Sequence, residues 1–302
     1  MTTTETVKDN YGARMRNAHL AAVARVLARD KLAILGVLIL LMYVIMAVFA
    51  EQIAPYGPQS ILLDPVTGET ATYRPPSPQY LFGTNNLARD IFSQVVYGSR
   101  VALLVGFVSA IVVTIIGAAV GLISGYYGGW VDDLLMRIVD VAYAVPFVPF
   151  GVLLVGLLGP STFNLTLVVA LVMWRAPARV VRAQVLTLAQ RPFVKAARVA
   201  GASNLRIIFR HLAPNVLPIV FLYIPVSVGY AIMAEASLSF LGFGDPRQLS
   251  WGGILQIAFT SGAMRLAWWW TLAPGAAIVS MVMAVFFISR AMEPLANPDL
   301  LE

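Results

Sequence analysis

A chain of 302 residues with 59% hydrophobic and 12% charged side chains, at a mean hydropathy of +0.79, carries about half the charge of an ordinary soluble domain and reads as a membrane protein of several spans. It has no cysteine, which excludes disulfides, thiolate metal sites and thiol nucleophiles. His19 and His211 show no metal-binding spacing, Lys8, Lys31 and Lys195 follow Val7, Asp30 and Val194, so none completes a P-loop, and the formal net charge of +6 follows topology, with no nucleic-acid module to use it.

Residues 1–31 are expected in the cytoplasm. Within them 13–30 reads as a helix along the inner leaflet, with Leu20, Val23, Val26 and Leu27 opposite Arg14, Arg25 and Arg29. Leu32 to Ala50 is the first apolar run, and a span needs about 20 such residues, so 32–54 is read as the first span. Its length and the 31 residues before it argue against a cleaved signal peptide. The outer segment 55–98 is too long for a simple loop, and Pro75-Pro76-Ser77-Pro78 makes much of it irregular. It reads as an external cap with a helix near 86–97, either docking a soluble partner or packing as a lid on the chain's own helices.

Further runs at Val101 to Gly125, Leu134 to Leu158, Phe163 to about Val181, Val216 to Phe240 and Trp268 to Ile288 bring the candidates to six. They set an all-α core of five spans in 99–292 and a cytoplasmic tail in 293–302. Gly117, Gly121 and Gly125 repeat at four-residue spacing on one face of the second span, a device for close helix packing within the chain or between subunits. The third and fourth runs are interrupted by Asp140, Pro146, Pro149 and Trp174-Arg175-Ala176-Pro177, which suits helices inside a bundle. With the N-terminus inside, sixteen of the 21 lysines and arginines fall on inner segments and five, Arg74, Arg89, Arg100, Arg247 and Arg265, on outer ones, so both termini are expected in the cytoplasm.

Two acidic features lie in or beside the fifth span. Glu235 is an ionisable residue inside it, with Ser239 one turn on; such a group lines or gates a translocation path, or caps and pairs with a helix end. Gly242-Phe243-Gly244-Asp245 matches a string of intramembrane aspartyl proteases. That chemistry needs two carboxylates sharing a proton, Asp140 is the other candidate, and a glycine-rich turn ending the helix explains the string as well.

Between the fourth and fifth spans lies a polar island, 190–214. Arg191, Lys195 and Arg198 fall on one helical face, with Phe193, Val194, Ala197 and Ala200 covering much of the remainder. Gly201-Ala202-Ser203-Asn204 supplies a stop, a turn and an N-cap. A second helix, Leu205 to Leu212, then stacks Arg206 and Arg210 and is closed by Pro214. Small Ala196, Ala197 and Gly201 at the bend allow a partner backbone to approach closely, so the island reads as a docking element. A charged inner loop that merely obeys the positive-inside rule is the plainer alternative.

Lys195-Ala196-Ala197, then Gly201, then Leu212-Ala213-Pro214, resembles the cytoplasmic Glu-Ala-Ala loop of ATP-binding-cassette importer permeases. The segment Phe82 to Arg100, with Gly83, Thr84, Arg89 and Asp90, is similar to the motif after the first span in the dipeptide, oligopeptide and nickel permeases. Gly121 to Trp130, Ala236 to Gly244 and Ser250-Trp251-Gly252 follow in family order, most like the C-type subunit of a pair. Four positions depart from the pattern: Lys195 stands for glutamate, Asn85 for aspartate, Ala88 for glycine and Gln94 for a common arginine.

The resemblance implies a non-catalytic, six-span permease subunit of an inner membrane. It would pair with a homologous subunit and bind two P-loop ATPase subunits through Lys195, Ala196, Ala197, Arg198, Gly201, Ala202, Ser203, Arg206, Arg210 and Pro214. It would receive solute, peptide first among the candidates, from an external binding protein. ATP and magnesium would sit on the ATPases and no cofactor on this chain, with alternating access as the mechanism. The competing class is a gradient-driven secondary transporter or channel, which calls for inverted repeats and mid-membrane carboxylates where this chain offers Glu235 and Asp140.

Overall fold

The computed structural model describes residue 28 and residues 30–64 and 67–296; the inner-leaflet helix expected at 13–30 lies almost wholly outside them. The architecture is helical, and among the described residues only isolated β-bridges occur, Leu63 with Thr70 and Thr84 with Asp90. Among the described residues five helical stretches are long and apolar enough to cross a membrane, and a sharply bent pair makes a sixth if counted as one span.

Helix α1 (Lys31–Val48) starts where Asp30 accepts the amide of Leu32 at 2.8 Å, and Arg290 pairs with the same carboxylate. Most of its large apolar side chains point outward, including Leu35, Leu38 and Leu41, as lipid permits. Its inward face is narrow: Gly36 lets Ala284 and Phe287 close in, and the Tyr43 hydroxyl shares a 2.8 Å hydrogen bond with Ser280. A short helix α2 (Ala50–Ile53) follows.

Helix α3 (Ile91–Tyr127) is the axis of the fold, 37 residues long and so about 55 Å. The sequence expected a short external helix near 86–97 and a separate span from Val101. The structure has one helix throughout, because Asp90 caps it by accepting the Ser93 amide at 2.7 Å and Arg100 is satisfied without leaving it. That guanidinium donates to the Ala47 carbonyl at 2.8 Å, at the end of α1, and lies over Tyr97. The segment between α2 and α3 holds a small core of its own, built on Leu62, Ala71, Tyr80 and Ala88.

The third expected span is not one straight helix. Helix α4 (Gly129–Ala144) and helix α5 (Phe147–Leu158) meet at 90°, since Pro146 in extended conformation cannot continue α4. The fourth is longer than expected: α6 (Thr162–Met173) passes at Trp174 into α7 (Arg175–Ala189). The glycine stripe of α3 meets α7 within the chain. A Cβ on Gly117 would lie 2.8 Å from the Trp174 carbonyl, one on Gly121 2.7 Å from that of Ala178, and one on Gly125 2.9 Å from that of Arg182.

Helix α8 (Pro192–Val199) and the short α9 (Asn204–Ile207) form the island. Pro214 does not end the second of them. The chain widens into a π turn at Ile208–Leu212, where the Ala213 amide reaches back to the Ile208 carbonyl, and continues directly as α10 (Ala213–Leu238). The wider turn takes the strain that a proline ring imposes on the preceding carbonyls. A second π turn, Ser239–Phe243, kinks at Gly242, φ +91, and is followed by α11 (Trp251–Thr260) and α12 (Trp268–Ala296). The main core gathers Tyr43, Ile91, Val95, Ile232, Trp251, Trp270 and Met281, with the Trp251 indole donating to the Val95 carbonyl at 2.9 Å.

Candidate functional site

The island sits at one end of α3 and the 54–90 segment at the other. Tyr126, next to last in α3, donates to the Asn204 side chain at 2.8 Å, whereas Asp90 caps the opposite terminus. Beneath the island, Val194, Ile207, Ile208 and Leu212 pack with Tyr126, Val181 and Val185. That cluster fixes both short helices to the ends of α3 and α7.

What it leaves outside is a mixed surface. Pro192 occupies the first turn of α8, where a missing N–H costs nothing. Gly201 turns the chain with φ +78, and a Cβ there would meet nothing within 4 Å, so the bend is open to an approaching partner. Ser203 caps α9 by accepting the Arg206 amide at 3.4 Å. Lys195, Ala196, Arg198, Gly201, Arg206, Arg210 and Pro214 are exposed, and Ala197 and Ala202 are half-buried. Arg198 lies over the Tyr126 ring at 5.7 Å. Among the described residues none of these cations forms an ion pair.

Beside the cations stand two apolar side chains, Val199 at 90% exposure and Leu205 at 63%. The sequence reading missed them. The signal was present: Val194 and Val199 are five residues apart, about 140° around a helix, so once Val194 points into the core Val199 cannot.

The external motif is a tight turn leading into α3. The Thr84 hydroxyl donates to the Ala71 carbonyl and accepts the Arg74 amide at 2.8 Å. Gly83 has φ +73, and a Cβ on it would lie 2.6 Å from the Arg74 carbonyl. The Asn85 side-chain oxygen accepts the amides of Leu87 and Arg89, both at 2.9 Å. Asp90 takes the Ser93 hydroxyl at 2.6 Å as well as its amide. Burial raises the Asp90 carboxyl, with the Ser93 bonds acting against it.

Glu235 is 1% exposed. It accepts the Ser239 hydroxyl at 2.6 Å and lies within hydrogen-bonding reach of Ser250, which caps α11 through the Gly253 amide. In this conformation the carboxylate joins α10 to α11 and faces protein rather than water. Nor do Asp140 and Asp245 form a catalytic pair. Asp140 pairs with Arg179, while Asp245 accepts the Thr162 amide at 3.1 Å and the Arg247 amide at 3.0 Å. Burial raises the Asp245 carboxyl, but those amides and the Arg247 guanidinium outweigh it and hold it below the ordinary value. Among the described residues no group of three or more His, Asp or Glu side chains is placed to hold a metal ion.

A bundle of spans with one polar helix pair at the end of its longest helix is the build of a permease subunit, and the family comparison agrees. Residues 117–300 match the binding-protein-dependent transport system inner membrane components, and residues 20–76 match the N-terminal membrane domain of oligopeptide transport permease C. The chain belongs to this family, so it is a permease subunit of an ATP-binding-cassette importer and a multi-pass inner membrane protein.

Among its relatives is the dipeptide transport system permease protein DppC of Alkalihalophilus pseudofirmus, 34% identical over 275 residues, 91% of this chain and 88% of that protein. The DppC of Haemophilus influenzae is 33% identical, covering 89% and 90%. In structure the chain is similar to the inward-facing methionine transporter MetNI, with a TM-score of 0.53 at 19% identity over 69% of this chain and 97% of that one. That likeness concerns the fold.

Proposed function

We propose that this chain pairs with a homologous permease to form the path of a peptide importer, and that α8 and α9 are the surface on which an ATPase subunit docks. The peptide class rests on the names of the relatives, both dipeptide permeases. The docking role rests above all on one observation: the island offers cations with no ion-pair partner among the described residues and exposed apolar side chains around a glycine bend with open space over it. Unpaired cations favour an acidic partner surface, and an exposed apolar patch rimmed by polar groups marks an interface.

In this reading the ATPases carry ATP and magnesium, and the permease supplies levers and path. The island is fixed to α3 and α7 by a packed core, so a displacement at the docking surface is carried into the spans as a rigid-body movement. An external binding protein delivers solute on the side of the 54–90 segment, and both termini lie in the cytoplasm, as the Lys and Arg distribution supports. Glu235 and Ser239 act on the path through the joint they make between α10 and α11. Glu235→Gln keeps an acceptor for Ser239 and Ser250, so uptake by that variant is expected within about twofold of wild type, whereas Glu235→Ala removes it and lowers uptake about tenfold. Equal uptake by both variants contradicts the joint.

The assignment is tested by affinity purification of the chain from its native membrane in mild detergent. Recovery of a second permease and P-loop ATPases is the expected result. Recovery of the chain alone, moving solute after reconstitution without ATP, overturns it in favour of a gradient-driven carrier.

A further inference from the structure

Arg175, which the charge count assigned to an inner segment, lies midway along the helical span Thr162–Ala189, with about 20 Å of helix on either side of it. It borders a cavity of about 310 Å³ together with Tyr143, Tyr223, Ser227 and Tyr230. The backbone breaks once beside that cavity, at the α4/α5 turn, and carries two milder irregularities around it within helices that continue. Helices α4 and α5 turn through 90° just after Tyr143, α6 gives way to α7 at Trp174, and α10 carries Pro225 between Tyr223 and Ser227. At membrane depth a broken backbone is tolerated where it is buried in protein or lines a water-filled cavity, and transporters place solute sites at such breaks.

The charges along this face are matched except at the cavity. Arg182 pairs with Asp132 and Arg179 with Asp140, both carboxylates of α4. One step further along the two helices, Arg175 meets Tyr143, its guanidinium 4.8 Å from the ring centre. Nη1 of Arg175 donates to the carbonyls of Ala142 at 3.0 Å and Val172 at 3.1 Å, which holds the group in place. Among the described residues no carboxylate lies within ion-pair distance of it. A cation at this depth is retained where it faces an aqueous route or a partner charge, and guanidinium is the group that holds a carboxylate most specifically.

We propose that Arg175 is the anion-binding group of the translocation path, taking the carboxylate of a peptide-class solute, with Tyr143 behind it and Tyr223 and Tyr230 around the remainder of the solute. The proposal rests on the importer reading above. A carboxylate side chain of the partner permease has the same chemistry and is separated from solute by the test.

The chain has no cysteine, so Tyr230→Cys places a single reporter thiol on the cavity wall of the reconstituted transporter, its partner subunits freed of cysteine. Ser227→Cys, on the same wall, serves as a second reporter should the first disturb assembly. Two methanethiosulfonates of matched size are compared, one bearing a sulfonate and one a trimethylammonium, each scaled to its rate with a free thiol. The sulfonate reagent is expected to react at least about threefold faster with the single variant, a preference that falls to about one on adding Arg175→Gln and survives Arg175→Lys. Ala-Ala should protect the thiol, and its C-terminal amide should not. No anionic preference in the single variant, as when the partner subunit neutralises Arg175, overturns the proposal. So does a preference that survives Arg175→Gln, or equal protection by acid and amide. Wild-type vesicles that show no ATP-driven uptake of Ala-Ala would count against the importer reading instead, whatever the labelling shows.

Discussion

Asn85 and Gln94 are two of the four departures from the permease pattern, and they face each other: the Asn85 amide donates to the Gln94 side-chain oxygen at 3.4 Å, both residues buried. The aspartate and arginine of the pattern would form an ion pair at these positions, so replacing both with amides keeps the contact and removes both charges. Asn85→Asp alone leaves a buried carboxylate facing an oxygen, or forces Gln94 to give up its bond to the Pro58 carbonyl. It is expected to cost about 2 kcal/mol, and Asn85→Asp with Gln94→Arg should recover most of it. A double-mutant cycle on thermal unfolding checks this, and additive losses would refute the pairing. At Ala88, φ of +54 accounts for the glycine of the pattern, since a left-handed alanine is strained. Asp90 was singled out by its motif, but its work as the cap of α3 was not read, because the helix was expected to begin near residue 86 and the residues that follow Asp90 are mixed rather than apolar. The pairing of residues 85 and 94 was not legible either, because a single sequence says which residues depart and not that they touch.

At the scale of elements, the apolar runs located the spans while their shapes escaped. Arg100 interrupted the hydropathy and divided α3, although the charge is met by the end of α1. Pro146 marked the third run without revealing a 90° turn, because a proline reads the same for a kink and for a break. Pro214 read as a helix end, where a π turn carries the chain through. The glycine stripe was legible as a packing face, and its partner needed the structure. Gly121→Leu should drive side-chain atoms into the backbone of α7, costing about 3 kcal/mol and sharply lowering the amount of folded protein recovered in detergent. Normal yield and melting temperature would mean that α3 and α7 are not closely packed. At the island end of the same two helices, Gly201→Glu imposes strain at φ +78 and fills the space over the bend. The variant should insert and fold but take up solute at least about tenfold more slowly, and uptake at the wild-type rate contradicts the docking role.

For the whole molecule, composition sufficed for the class, and the lengths of the apolar runs gave six spans, against five in the described residues, or six with the bent pair counted as one. The charge asymmetry supports a topology with the island inside, at the end of α3 away from the 54–90 segment. In the proposed reading that separation, about 55 Å along one helix, sets delivery of solute and supply of energy on opposite faces, with Arg175 and its cavity between them. The account turns on the island as the seat of an ATPase. Val199→Cys, a single thiol at a 90% exposed position of α8, tests this in the assembled transporter with a short homobifunctional thiol crosslinker and cysteines placed across the ATPase surface. The expected outcome is a crosslink to the ATPase, and protection of the same thiol from an aqueous maleimide when the ATPases are present. A thiol that reacts with maleimide equally fast with and without the ATPases, and crosslinks to none of them, would contradict it.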